Sequence, residues 1–263
     1  MAHTPFSPRV TLGRTGLEVG RLGLGATYRI PADAVEWAFE RGSSYLYWGT
    51  FRRDEFARAL RNLKRQRDRL VLAIQSYAPA PALVVWSFER ALVKIGYEHA
   101  DVVLLGMWNR PVSPGVLDAC RGLKQRGLVR HIAVSTHKRA LAPELARMEE
   151  IGILHVRYNA VHPKAETEIF AHLPSEGGPG VVAFTATCWR KLLDPRRIPA
   201  GERVPTAGDC YRFVLSHPSV DVCMTGLSSM DHARHAFEAL DKGPMSDDEM
   251  AWMRRVGRAI YGK

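Results

Sequence analysis

From about residue 30 onward the chain repeats one beat: a short apolar run, a loop, then a segment whose apolar residues recur at helical spacing. The runs are "SYLYW", "RLVLAIQ", "DVVLLGM", "RHIAVST", "ILHVRYN", "GVVAFTA" and "VDVCMTG". Continuous rather than alternating hydrophobicity marks strands covered on both faces, the condition of a parallel sheet under helices. Helices are expected over Glu55–Leu63, Ala82–Ile95, Ser113–Arg126, Ala140–Glu150, Lys164–His172, Gly208–His217 and Met230–Leu240. "RLGLGAT" supplies an earlier strand and Ala32–Arg41 its helix, which makes eight βα units, followed by one more helix at Ser246–Tyr261. Eight such units predict an α/β fold, a single closed (β/α)8 TIM barrel; a doubly wound open sheet is the alternative and usually has fewer strands.

All 263 residues are read as one unit: an N-terminal β-hairpin over 9–20, the barrel over 21–241 and the C-terminal helix over 246–261. The hairpin "VTLGRTGLEVG" is expected to plug the N-terminal mouth of the barrel. Gly42, Gly96, Gly127, Gly152 and Gly243 stand where helices should stop, as left-handed caps.

Composition narrows the function classes. Hydrophobic residues at 46% and charged residues at 24% describe a globular chain. No apolar run approaches the roughly 18 residues of a membrane span, and "MAHTPFSPRV" lacks an apolar signal core, so a cytoplasmic protein without membrane association is expected. Cys120, Cys188, Cys210 and Cys223 form no CxxC pair and read as reduced thiols. The net charge of +10 suits an anionic ligand. Nucleic acid is not expected, because "RNLKRQRDR" is the one dense basic run and a solvated helix end explains it. His232 and His235 lack a third ligand, so no metal is expected. Gly20, Gly23 and Gly25 run in the order GxxGxG, within a strand, which is not a dinucleotide fingerprint.

In such a barrel, ligands bind at the C-terminal ends of the strands. The residues there are polar and aromatic: Tyr47-Trp48, Gln75-Ser76-Tyr77, Gly106-Met107-Trp108-Asn109, Ser135-Thr136-His137, Arg157-Tyr158-Asn159 and Thr225-Gly226-Leu227-Ser228. Tyr47, Tyr77 and His137 are the candidates for proton transfer. Trp48, Gln75, Trp108, Asn109 and Arg157 are the candidates for holding substrate, with Arg157 as an anion anchor.

"LGRTGLEVGRLGLGAT", "ERGSSYLYWGT", "DVVLLGMWNRP", "RGLVRHIAVSTH", "VRYNAVH", "VVAFTAT" and "RFVLSHPSVDVCMTGLSS" resemble, in order, segments of the aldo-keto reductases. The resemblance spans nearly the whole chain and implies an NADP-dependent barrel enzyme acting on a small molecule. It implies a nicotinamide stacked on Phe184, with Ser135, Thr136 and His155 around its carboxamide. It also implies phosphates near Gly226, Ser228 and Ser229, with Arg196, Arg197 and Arg203 in the loop that wraps the cofactor. The adenine clamp of the family falls on His235 and Ala236, which do not match it.

The catalytic set departs from the family. Where it places Asp, Tyr, Lys and His, this chain has Tyr47, Phe51, Gln75 and Gly106. A phenyl ring gives up no proton, and an uncharged amide cannot lower the pKa of a phenol. The expectation is therefore an NADP-linked oxidoreductase acting on a carbonyl or imine with a non-standard proton donor. A non-redox lyase, isomerase or cyclase using the aromatic rim of Tyr47, Trp48, Trp108 and Trp189 is the first alternative. A catalytically silent binding or regulatory protein is the second. Oligomeric state is not legible.

Overall fold

The computed structural model describes residues 5–49 and 53–261. Eight parallel strands close into a barrel in chain order: β3 (Leu22–Gly25), β4 (Tyr45–Trp48), β5 (Val71–Ser76), β6 (Val102–Leu105), β7 (His131–Thr136), β8 (Ile151–Arg157), β9 (Gly180–Phe184) and β10 (Val222–Thr225), which returns to β3. An antiparallel hairpin of β1 (Arg9–Thr11) and β2 (Glu18–Gly20) precedes them. The (β/α)8 architecture and the hairpin are as the periodicity predicts.

The core has two layers, set by the alternation of side chains along each strand. Tyr45, Val71, Ala73, Val102, Leu104, Ala133, Ile153, Val182 and Val222 point to the barrel axis, where Leu12, Leu17 and Val19 of the hairpin join them. Leu46, Trp48, Leu72, Ile74, Val103, Leu105, Val134 and Val156 point outward against the helices. The hairpin thus stoppers the N-terminal end, leaving the opposite end open for ligand.

The helices are α1 (Ala32–Glu40), α2 (Asp54–Asn62), α3 (Pro81–Ile95), α4 (Pro114–Gln125), α5 (Ala142–Arg147), α6 (Ala165–Glu168), α7 (Ala207–Leu215), α8 (Met230–Asp241) and α9 (Asp247–Ile260). The expected helices over 140–150 and 164–172 are shorter than their apolar spacing indicates, each sharing its span with a 3-10 turn. Pro143 in the first turn confines α5, whereas α9 has a full capping box of Ser246 and Glu249. Gly42, Gly96, Gly127 and Gly243 have the positive φ of a cap, but Gly152 does not. It lies inside β8, where a Cβ would stand 2.9 Å from Thr15 Cγ2 of the hairpin turn. Close approach of the plug, rather than a helix end, explains that glycine.

Buried charge is spent on holding the scaffold. The Asp101 carboxylate accepts from the Leu72 amide at 2.8 Å and pairs with Arg67. Arg212 pairs with Glu249 and donates to the Gly243 and Pro244 carbonyls, tying α7 to α9. Among the described residues no helix is long and apolar enough to cross a membrane, and no group of three metal-ligating side chains forms.

Candidate active site

The open end of the barrel leads into a cavity of about 720 Å³, within the range of roughly 300–1,000 Å³ typical of ligand sites. Its floor is Tyr47, Gln75, Ser135, His155, Phe184 and Met224, all in the inward phase of their strands. From there it runs past Trp189 and Arg190 to Ser228, His232, His235, Glu238 and Lys242, on and at either end of α8. The site is a long cleft.

Tyr47 lies deep in it. Its hydroxyl is 3.3 Å from that of Tyr77, whose side chain is 56% exposed. Burial, and then Tyr77, push the Tyr47 phenol well above its usual pKa, so it stays protonated. The hydroxyl also stands 2.1 Å from where a Cβ on Gly49 would be, so Gly49 leaves room for it. Gln75 fills space in the same way: its Nε2 is 1.8 Å from the position of a Cβ on Gly106.

His155 is fully buried on the axis, and burial drives its pKa down to about 3. One ring nitrogen, Nε2, is 2.8 Å from the hydroxyl of Tyr45. His137 meets Phe184 edge-on, with ring centroids 5.4 Å apart, and its pKa is lowered by burial and by Arg157. Its backbone amide donates to Asn109 Oδ1 at 2.8 Å. The carboxylates lining the cleft, Asp209 and Glu238, belong to α7 and α8, and Asp209 is held by Arg203 and Thr206.

Several expected positions are corrected by the structure, the first two by strand phase. Trp48 follows Tyr47 and therefore points the other way, into the outer core against Phe56. Thr136 follows Ser135 and likewise turns away from the cleft, toward Asn109 Oδ1. Trp108 is buried in the outer core, with Arg110 over its ring. Asn109 serves the turn after β7 rather than the cleft. Arg157 is half-buried beside the cleft instead of lining it, its guanidinium 5.9 Å from the Trp189 ring centroid. No carboxylate pairs with Arg157 among the described residues.

Gly226 and Ser228 line the cleft, whereas Ser229 caps α8 by accepting from the His232 amide. The Ser228 hydroxyl bonds His232 Nδ1 at 3.0 Å. The loop arginines are engaged within the protein: Arg196 and Arg197 with Asp194, Arg203 with Asp209 and over Trp252 at 3.9 Å. His235 lines the cleft but Ala236 is in the core. Of the rim tryptophans, Trp189 alone lines the cavity among the described residues. Phe51 and Arg52 lie outside the described residues.

Sequence reading missed Tyr45, which shares the inward phase of Tyr47 and could have been found by counting two residues back along β4. It also missed Arg190, Glu238 and Lys242, which only the packing of distant elements brings to the cleft.

The aldo/keto reductase family model matches residues 43–188, more than half of the chain. The chain belongs to the aldo/keto reductase family. Solved structures share the family's fold: aldo-keto reductase AKR11C1 from Bacillus halodurans superposes with a TM-score of 0.76 at 20% identity, covering 97% of this chain and 98% of that one. An aldo/keto reductase from Klebsiella pneumoniae, in complex with NADP and acetate, gives a TM-score of 0.76 at 20% identity over 96% of both chains. A thermostable aldo-keto reductase, Tm1743, in complex with the inhibitor epalrestat, gives 0.73 at 20% over 94% of this chain and 99% of that one. A search of curated proteins finds no significant match by sequence.

Proposed function

We propose that this chain is an NADP-linked oxidoreductase that reduces the carbonyl of a small molecule with Tyr47 as proton donor. The observation that carries the reading is the Tyr47–Tyr77 hydroxyl pair, 3.3 Å apart, on the floor of a cleft that extends to α8. The residues present fit a dinucleotide. Phe184 offers an aromatic platform, Ser135 and His155 offer polar groups beside it, and Ser228 offers a hydroxyl before α8. The NADP complex of the Klebsiella pneumoniae relative favours the same cofactor. When bound, that cofactor supplies hydride.

The chain's own task is the proton. As negative charge grows on the carbonyl oxygen, a donor in place avoids an alkoxide in a poorly solvated cleft, typically worth 10²–10⁴-fold. Tyr47 holds its proton because its pKa is raised, and an alkoxide is still the stronger base. Tyr77, exposed and in hydrogen-bond range, can return a proton from solvent. Gln75 gives no charge to stabilise the tyrosinate that donation leaves behind, so the step depends on prompt return of a proton through Tyr77. The reading is thus a reductase with a rebuilt acid. Arg157, beside the cleft and without a carboxylate partner among the described residues, is proposed to attract the anionic end of the substrate through its charge.

The test is titration with NADPH followed by fluorescence of Trp189, and then cofactor consumption with a panel of aldehydes, ketones and oxo acids. Saturable binding and turnover of at least one carbonyl are expected. No binding of NADPH or NADH at high micromolar concentration would sink the reading.

A further inference from the structure

The inward face of β4 carries a second tyrosine that the proposed chemistry does not use. Tyr45 is wholly buried at the barrel axis, among Val71, Val102, Leu104, Ile153 and Val182. Its hydroxyl has one hydrogen-bond partner among the described residues, His155 Nε2 at 2.8 Å. A buried O–H left without an acceptor is costly. Were Nε2 protonated, it would donate to Tyr45, and the hydroxyl proton would be left without an acceptor among the described residues. Tyr45 therefore donates, Nε2 is the bare nitrogen, and the neutral ring carries its proton on Nδ1. That second nitrogen has no protein partner among the described residues, on a side chain that lines the cleft beside Ser135, its neighbour in register.

We propose that Tyr45 is a positioning residue: it fixes His155 as the Nδ1–H tautomer, so the cleft floor offers a hydrogen-bond donor and no acceptor at that point. The group bound there is a hydrogen-bond acceptor. If the nicotinamide reading above holds, on which this clause rests, it is the carboxamide oxygen and not the carboxamide NH₂. A glutamine at this position could serve either end of an amide; this histidine serves one.

The first test needs no ligand. In protein labelled with 15N at histidine, long-range 1H–15N correlation is expected to show His155 with a bare Nε2 and a protonated Nδ1. Tyr45→Phe, which keeps the ring and removes the donor, is expected to collapse that preference toward a mixture or the Nε2–H form. A wild-type Nε2–H tautomer, or a Tyr45→Phe spectrum unchanged at His155, overturns the proposal. Addition of NADP⁺ is expected to shift the Nδ1–H proton while Nε2 stays bare; loss of the Nδ1 proton overturns it.

The second test separates positioning from mere support. Tyr45→Phe is expected to weaken NADP⁺ by about threefold to tenfold and to leave adenosine 2′,5′-bisphosphate, which lacks the nicotinamide, unchanged. Equal weakening of both overturns the positioning role. If neither dinucleotide nor fragment binds wild-type protein, the cofactor reading fails, and the ligand-free tautomer decides the inference by itself.

Discussion

The Gln75 amide occupies the volume that a side chain on Gly106 would need, with its Nε2 only 1.8 Å from the place of a Cβ there. These neighbours on β5 and at the end of β6 belong together. Gly106→Ala is expected to expel the Gln75 side chain from its position and to cost about 1 kcal/mol, the low end for overpacking, because the atoms in the way are the far end of a flexible chain. The double variant Gly106→Ala/Gln75→Ala is expected to recover that stability. Urea denaturation of the two single variants and the double one measures the coupling; additive effects would show the two sites to be independent.

Tyr47→Phe tests the proposed acid directly. The ring keeps its packing, so folding and NADPH affinity are expected to stay within about twofold. Turnover is expected to fall by 10²–10⁴. Tyr77→Phe, one step further from the carbonyl, is expected to cost less. Steady-state kinetics beside a binding titration separate the two quantities, and an unimpaired Tyr47→Phe enzyme removes Tyr47 from the mechanism.

The pH dependence follows from burial. The Tyr47 phenol lies above its ordinary value and keeps its proton up to alkaline pH. The His137 imidazole lies below its ordinary value, through burial and then Arg157, and is neutral at and above neutrality. Carbonyl reduction is therefore expected to be flat in kcat/KM from about pH 7 to about pH 9. Alcohol oxidation over the same range is expected to be slow. A reduction rate that falls through this window would implicate a different acid.

Acid stability has a specific contributor. His155 binds its proton in the folded protein only near pH 3, whereas an unfolded histidine does so near pH 6.5. Below about 6.5 the unfolded chain holds the extra proton, so stability falls as pH drops toward about 3. The fully buried ring makes this on the order of 4 kcal/mol at the acid end. His155→Gln is expected to lose less stability than wild type between pH 7 and pH 4, read from denaturation midpoints at each pH. Parallel curves would contradict the assignment.

Arg157 is testable with a matched pair of probes. Phenylglyoxylate is expected to bind about tenfold more tightly than its methyl ester, because the Arg157 cation beside the cleft attracts its carboxylate. Arg157→Gln is expected to erase the difference and leave the ester unchanged. Calorimetry on both proteins gives the answer, and a preference that survives the substitution would clear Arg157 of the role.

The order of elements, the closed barrel and the hairpin stopper were legible in the sequence because they rest on local periodicity. Runs such as "VVLL", short and bounded by loops, read as strands buried on both sides, and eight of them with intervening helices leave little choice of architecture. The family was legible for the same reason, in segments spread along the whole chain. The site was legible only as a list of strand ends. Tyr47 and Trp48 are adjacent in that list but opposite in space, because successive side chains on a strand face opposite sides. Counting phase from Tyr45 would have separated them from sequence. No count of residues, however, brings Tyr45 to His155, Gln75 over Gly106, or Lys242 to the same cleft as Tyr47. Those meetings depend on register between strands and on the packing of helices far apart in the chain, and only the closed barrel decides them.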